Sequence, residues 1–222
     1  PAYPFIGLLV SGGHTAIYRV DGPSHAEIHE IGATRDDAAG EAFDKVAKML
    51  GLGYPGGPLI DRLAASGDPA AAGIELPSAM NERASFEMSF SGLKSAVARH
   101  VEQRGVPAGA ALAHLCAAFQ ANIVGTLVKK TIRAAEREGV PRIVIGGGVA
   151  ANQGLREGMR AAAAKRSIEV FIPPLASCTD NAAMIAYAGA LRLARGERDD
   201  LSLAPATKSA LLRVTRKGGG RR

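Results

Sequence analysis

The chain has 222 residues, of which 47% are apolar, 22% charged and 5% aromatic, with no tryptophan. This composition excludes a disordered or collagen-like chain and is rich enough to close a hydrophobic core. The formal net charge is +6, but residues 206–222 carry six basic and no acidic side chains, so residues 1–205 are balanced. A basic nucleic-acid groove in residues 1–205 therefore cannot be inferred from net charge, and the charge distribution predicts a basic flexible tail over 206–222.

Cysteine content and hydropathy indicate the cellular environment of the protein. Cys116 and Cys178 are too few for a disulfide framework, which favours a reduced, cytoplasmic environment. Uninterrupted apolar runs fall far short of the roughly 18–20 residues that span a bilayer, so no membrane partner is expected. The chain starts without methionine and enters a strand-like run almost at once, so we expect no signal peptide and a missing upstream segment.

The first half of the chain reads as a meander followed by a helix. Three strand-like segments joined by short turns favour antiparallel pairing; they are residues 5–10, 16–20 and 27–31. Apolar side chains at 3-4 spacing predict a helix over 37–50, which Gly51 ends. Residues 51–58 are rich in Gly and Pro and predict a loop, with Pro58 suited to the first turn of a helix reaching about residue 65.

The second half alternates helices and short strands, after a possible strand over 86–90. The predicted helices are residues 92–102, 110–138, 151–165 and 180–195, and the predicted strands are 142–145 and 169–172. Thr179 or Asp180 is expected to cap the last helix.

Without residues 51–107, which read as a largely helical insertion, the order is three strands, two helices, then strand, helix, strand, helix. Such an order predicts an α/β fold with a mixed sheet covered by helices. It resembles the ribonuclease-H-like lobe that occurs twice in the actin, sugar-kinase and heat-shock chaperone ATPases. One such lobe is predicted here, over residues 1–205.

Two glycine-rich turns are candidate anion sites. Leu9, Val10, Ser11, Gly12 and Gly13 end a buried strand with a hydroxyl and two glycines, whose backbone N–H groups can approach a phosphate. An ordinary hairpin turn has the same composition. Residues 143–152 run from a strand through three glycines into a helix start, where open amides favour phosphate. Glycines are also common at plain strand–helix turns; here the Asn152 amide can cap the helix or hold a ligand.

Acidic side chains near the first helix are candidate hydroxyl or cation ligands. Glu41 and Asp44 share a helical face, which suits a hydroxyl pair or hydrated cation but equally a solvated first turn. The bare backbone around Gly57, followed by Asp61, can lie against a nucleobase or ribose or simply connect two helices.

Candidate metal ligands occur at two places in the sequence. Asp180, in Cys-Thr-Asp-Asn before the last helix, is a candidate hard-metal or phosphate-side ligand, and its alternative is a helix cap. His25 and His29 have the spacing of a helical zinc pair, but the segment reads as a strand, where four residues span about 13 Å. We therefore expect no metal role for these two histidines.

Together and in order, six blocks resemble the tRNA N6-adenosine threonylcarbamoyltransferase family. They are Leu-Leu-Val-Ser-Gly-Gly-His-Thr at 8–15, Asp-Asp-Ala-Ala-Gly-Glu-Ala-Phe-Asp-Lys at 36–45, Leu-Gly-Leu-Gly-Tyr-Pro-Gly-Gly-Pro at 50–58, Ser-Phe-Ser-Gly-Leu-Lys at 89–94, Gly-Gly-Val-Ala-Ala-Asn at 147–152 and Cys-Thr-Asp-Asn-Ala-Ala-Met-Ile-Ala at 178–186. Each block alone is weakly specific; six in register are highly specific.

The resemblance implies a two-lobed, ATPase-like fold with ATP or threonylcarbamoyl-AMP in the cleft. It implies transfer of the threonylcarbamoyl group to N6 of the adenosine beside the anticodon, in tRNAs that read codons beginning with A, with small partner proteins of that pathway. By position, the family's substrate-phosphate loop is matched by Leu9, Val10, Ser11, Gly12 and Gly13. Its ribose and nucleoside contacts are matched by Asp44, Gly57 and Asp61, and a further nucleotide contact by Asn152. Asp180 matches one ligand of a divalent iron or zinc ion.

Two departures limit the resemblance. The family's His-x-x-x-His metal pair falls upstream of residue 1, and its C-terminal Arg-Pro-x-Trp segment is replaced by residues 204–222. We therefore expect no competent metal site and no transferase activity from this chain alone. A small-molecule kinase and a non-catalytic nucleotide-binding scaffold remain as alternatives on the same fold. The older metalloprotease interpretation would need the absent histidine pair.

Overall fold

A computed structural model describes residues 1–77 and 85–204. The predicted basic tail over 206–222 lies outside the described residues. Within them, five strands form a sheet in the order β3-β2-β1-β4-β5; they are β1 (Phe5–Val10), β2 (Thr15–Val20), β3 (Ile28–Ala33), β4 (Arg142–Gly146) and β5 (Glu169–Phe171).

The strand pairing confirms the predicted mixed sheet. β1 pairs with β2 and β2 with β3 in antiparallel fashion, whereas β4 lies parallel to β1 and β5 parallel to β4. The described residues also form six α-helices; they are α1 (Ala39–Met49), α2 (Gly56–Ala64), α3 (Ser91–Arg104), α4 (Gly109–Glu138), α5 (Gln153–Ala164) and α6 (Ala182–Ala194).

The core lies on one face of the sheet. Ile6, Leu8 and Ile143 are fully or almost fully buried and form one cluster with apolar side chains of α1, α4 and α5. On the opposite face, Gly7, Leu9, Tyr18 and Val144 line an open groove. The expectation of a sheet covered by helices therefore holds for one face, whereas the second face is open among the described residues.

Helix α4 is the central helix of the core. By length and composition it is the one helix in the described ranges that could cross a membrane. However, Leu115, Phe119 and Ile123 are packed into the core at 1% exposure or less, as in the core helix of a globular domain.

Several predicted boundaries were wrong for local reasons. The segment 51–58 is not wholly a loop, because α2 begins at Gly56, whose N–H is bound by Asp44. The segment 86–90 forms one isolated bridge, between Thr34 and Met88, rather than a strand. The chain before β3 is a 3-10 turn, His25–Glu27, stabilised by a hydrogen bond from the Ser24 N–H to the Glu27 carboxylate.

The start of α5 differs in a similar way. A 3-10 turn, Gly148–Ala151, precedes the helix, which begins at Gln153 rather than at residue 151. Asn152 is its N-cap, because its side-chain oxygen accepts the Leu155 N–H at 2.8 Å. This confirms the capping role predicted for the Asn152 amide.

Candidate nucleotide site

The two glycine-rich turns lie side by side at one edge of the sheet. Leu9 of β1 is the parallel partner of Gly146 of β4, so both strands end at the same edge. Gly147 has φ +97°, and a Cβ there would lie 2.3 Å from the carbonyl oxygen of Val10. Only glycine allows the second turn to pack this closely against the end of β1.

The first turn is shaped by the Ser11 hydroxyl. Its oxygen accepts the N–H groups of Gly13 at 3.3 Å and His14 at 3.1 Å, while the Ser11 N–H donates to the His14 carbonyl at 2.8 Å. Gly12 and Gly13 are exposed, and a Cβ on either would meet nothing within 4 Å. Ser11 thus organises the turn, and the glycines leave its outer surface accessible to a ligand.

The start of α1 supports this turn from behind. The Ala39 N–H donates to the Thr15 hydroxyl at 2.9 Å, and the Gly40 N–H donates to the Ser11 carbonyl at 3.2 Å. A Cβ at Gly40 would lie 2.8 Å from the Gly12 nitrogen. The block at 36–45 therefore packs against the turn and positions it. The N–H groups of Ala39 and Gly40 are hydrogen-bonded within the chain.

Glu41 and Asp44 have different partners within the chain. Glu41 accepts the Ala38 N–H at 3.3 Å and pairs with Lys45 at 2.7 Å. Asp44 instead accepts the Gly56 N–H at 2.7 Å and holds the start of α2 against α1. Asp44 and the loop before Gly57, both matched by the resemblance to ribose and nucleoside contacts, are therefore adjacent.

A cluster of charges joins α1 to α3. Lys45 lies 2.9 Å from one Asp37 oxygen, and Lys94 lies 3.6 Å from the other. Hydrogen bonds from Lys45 to Asp37 and then to Glu41 raise the pKa of the Lys45 ammonium. The block at 89–94 thus contacts the block at 36–45 rather than the glycine turns.

Asp61 and Asn152, both expected to contact a nucleoside, belong to one hydrogen-bond network. Gln120 donates to Asp61 at 3.0 Å and accepts from the Asn152 amide at 2.7 Å. The second Asp61 oxygen accepts the Gln153 N–H at 3.0 Å, and the Asn152 oxygen accepts the Leu155 N–H. Three helices are thereby tied together at the site.

Sequence reasoning missed Gln120. A signal existed, because it is a polar residue on the face of α4 that also carries Cys116, Phe119 and Ile123, all of them buried. A polar side chain at such a position must find hydrogen-bond partners, which points to a buried network.

Asp180 lies just before α6. Its side chain is exposed, and no group of three His, Cys, Asp or Glu side chains that could hold a metal ion exists in residues 1–77 and 85–204. The described residues therefore do not fit a complete metal site. His25 lies in the 3-10 turn and not in a strand, and His29 lies in β3 near Asp21, at 3.9 Å.

Asp180 is not the helix cap either. Asn181 is the N-cap of α6, since its side-chain oxygen accepts the Met184 N–H at 3.0 Å and its amide donates to the Thr179 carbonyl at 3.1 Å. The prediction of a Thr179 or Asp180 cap was wrong because one residue further along has the extended backbone and the short amide that the cap requires. Cys178 is buried and accepts a hydrogen bond from Arg156 at 3.3 Å.

Comparisons with known proteins show the family of this chain. The family model for tRNA N6-adenosine threonylcarbamoyltransferase matches residues 1–187. A protein of that name from Sorangium cellulosum (strain So ce56) is 68% identical over the whole chain, and one from Anaeromyxobacter dehalogenans (strain 2CP-1) is 56% identical over 93% of it. The chain spans 62% and 61% of these two relatives.

Among solved structures, full-length HypF in its phosphate- and nucleotide-bound form is similar, with a TM-score of 0.54 and 12% identity. The match covers 77% of this chain and 30% of that one. At this identity the likeness shows the fold alone, and it agrees with the predicted lobe of the actin and sugar-kinase ATPase type.

Proposed function

The chain belongs to the tRNA N6-adenosine threonylcarbamoyltransferase family, and on that premise we propose that it is the nucleotide-binding lobe of such an enzyme, formed by residues 1–205. The reaction would transfer the threonylcarbamoyl group from threonylcarbamoyl-AMP to N6 of the adenosine beside the anticodon. Its substrate would be a tRNA reading codons that begin with A. Small partner proteins of the pathway and a cytoplasmic location are part of the same proposal.

One observation carries the nucleotide part of the proposal: Gly147 lies against Val10, so that both glycine-rich turns meet at one sheet edge. The phosphate side of the ligand would lie along Leu9, Val10, Ser11, Gly12 and Gly13, whose turn has open space around its glycines. The N–H groups of Ser11, Gly13 and His14 bond within the turn, so the phosphate would lie against the bare glycine backbone, where no side chain blocks its approach.

The nucleoside would lie towards Asp44, Gly57, Asp61 and Asn152. Each Asp61 oxygen accepts one bond within the chain. A carboxylate has further lone pairs, so Asp61 retains capacity to accept a ribose hydroxyl. In this proposal the adenylate would be held by these residues, and the acyl group would be oriented by its phosphate.

Asp180 remains the proposed metal ligand in this chain. When bound, an iron or zinc ion would polarise the acyl phosphate. Since the described residues give Asp180 no companion ligands, no step of the proposed reaction is derived through a metal. The family match disfavours the kinase alternative.

Titration of ATP and AMP into the chain by calorimetry tests the nucleotide site. We expect saturable binding that is lost in Gly12→Val, because the added methyl groups occupy the open space beside the turn. Gly125→Val is the matched control, since a Cβ there also meets nothing within 4 Å but lies on α4. Absence of binding by the native chain, or full binding by a folded Gly12→Val variant, would refute the site.

A second measurement addresses the transfer reaction. The chain, tRNA, threonine, bicarbonate, ATP and the other pathway proteins are combined, and threonylcarbamoyl adenosine is measured by mass spectrometry. Inactivity of the chain by itself stays a prediction, and robust product formation would contradict it.

A further inference from the structure

Gln120 occupies the centre of the network that links the proposed nucleoside contacts. Its amide nitrogen donates to Asp61 on α2, and its amide oxygen accepts from Asn152 at the start of α5. Both ends of the amide are therefore hydrogen-bonded, one as the donor to Asp61 and the other as the acceptor from Asn152. Exchanging the two ends of the amide would place donor against donor at Asn152 and oxygen against oxygen at Asp61.

The packing around Gln120 leaves little freedom to turn. Gln120 is 9% exposed, and a Cβ at Gly154 would lie 3.0 Å from its amide nitrogen. Gly154 thus allows α5 to approach α4 at this point. A buried amide with two bonds of fixed polarity orients both of its partners.

We infer that Gln120 is a positioning residue for the nucleoside site: it holds the Asp61 carboxylate and the Asn152 amide in the orientation that receives the ligand. This inference rests on the proposed function. Gln120 directs one Asn152 N–H inward, and because the Asn152 oxygen caps α5, one N–H of that amide remains for a ligand. At Asp61, Gln120 occupies one oxygen and leaves acceptor capacity for a hydroxyl.

Two substitutions separate positioning from simple space filling. Gln120→Glu keeps the shape and the acceptor for Asn152 but places a second carboxylate beside Asp61. Like charges this close raise the pKa of one member of the pair, so the pair takes up a proton as the pH falls. The protonated carboxyl can then donate to its partner, as the native amide does. Gln120→Met fills the space and has no group that titrates.

Other charged groups on the packed elements must be considered in reading the pH dependence. They include Arg62 on α2, Asp68 in the following turn, His114 on α4, and Arg156, Glu157 and Arg160 on α5. His114 accepts the Asp68 N–H, and Arg156 donates to the Ala150 and Pro173 carbonyls. All of them are present in native chain and variants alike, so the ratio of variant to native affinity cancels their contribution.

The experiment measures ATP affinity of native, Gln120→Glu and Gln120→Met chains by calorimetry at pH 8 and pH 5.5. For Gln120→Glu we expect affinity about tenfold below native at pH 8, the order of loss for an unsatisfied buried polar group, with recovery towards native at pH 5.5. For Gln120→Met we expect a similar loss at both pH values. Melting curves without nucleotide should show the same pattern.

The remaining results are decisive as well. Native affinity in both variants, or equal losses at both pH values in Gln120→Glu and Gln120→Met, would overturn the positioning role while leaving the nucleotide site intact. No binding by the native chain would overturn the proposed function and this inference with it. Should either variant fail to fold, Gly154→Ala displaces the Gln120 amide by a few tenths of an ångström and is expected to weaken ATP binding moderately; unchanged affinity would overturn the inference.

Discussion

The carboxylate of Asp36 accepts the backbone N–H of Phe90 at 2.8 Å, across 54 residues of chain. The same carboxylate accepts the Ser91 N–H at 3.2 Å and the hydroxyls of Ser89 and Ser91. Asp36 therefore does for α3 what an N-cap side chain does, although it comes from the connection between β3 and α1. Two of the six sequence blocks meet through this one side chain.

These bonds give Asp36 a pH-dependent role in stability. Partial burial alone would raise the pKa of the Asp36 carboxyl, but the hydrogen bonds from Ser89, Ser91 and the two backbone amides outweigh it and lower the pKa. A carboxyl with a lowered folded-state pKa stabilises the fold above its unfolded-state pKa. That contribution is lost as the pH falls through the folded-state value.

Asp36→Ala should reduce the free energy of unfolding by about 1–2 kcal/mol at pH 7, the range for loss of a helix cap. The difference from native should begin to shrink below about pH 4, the ordinary pKa of an aspartate in the unfolded chain, and should be lost as the pH falls through the lower folded-state pKa. Urea denaturation at several pH values measures this. Asp68→Ala is the control, because Asp68 caps a short exposed 3-10 turn through one bond to the Ala70 N–H. A pH-independent difference for Asp36→Ala would contradict the assignment.

Substitution by alanine should destabilise the fold strongly at Gly147 and little at Gly148. Gly147→Ala needs a positive φ and sets a Cβ against the Val10 carbonyl, so a loss of about 3 kcal/mol or more is expected. Gly148→Ala meets nothing within 4 Å and should change stability by less than about 1 kcal/mol. Thermal melts of the two variants measure the contrast. Equal melting temperatures would show that the second turn does not depend on its contact with β1.

Asn181 and Asp180 form a second informative pair. Asn181→Ala should cost about 1 kcal/mol because it removes the cap of α6, whereas Asp180→Asn should leave stability unchanged. Chemical denaturation followed by circular dichroism gives both values. Asp180 has no capping role, so its substitution should not disturb the start of α6. A large destabilisation by Asp180→Asn would instead return it to a structural role.

The exposed apolar surface of α6 should be detectable in solution. Ile185 is 67% and Tyr187 69% exposed, and no residue of this apolar helix is buried among the described residues. Together with the open sheet face, this surface should bind a hydrophobic dye and promote association at high concentration. The double variant Ile185→Lys with Tyr187→Lys should reduce both effects in fluorescence and light scattering. Dye binding equal to that of native would contradict this.

Much of the fold could be predicted from the sequence because its signals are local. Short apolar or alternating runs located the strands, and the glycines after residues 10 and 145 located both turns. Parallel pairing of β1 with β4 then follows from the order of elements, which brings both turns to one edge. The six blocks, taken in register, identified the family without any contact being known.

Tertiary structure decided which polar atoms meet. Asp36 caps a helix 54 residues away, and Gln120 joins Asp61 to Asn152 across three helices. No local pattern encodes such bonds, because they depend on how far and at what angle the packed elements approach each other. Even the cap of α6 was misassigned by one residue or two, since Thr179, Asp180 and Asn181 are all good caps and backbone geometry selects among them. Propensity determined that a cap would be there; packing determined which residue it is.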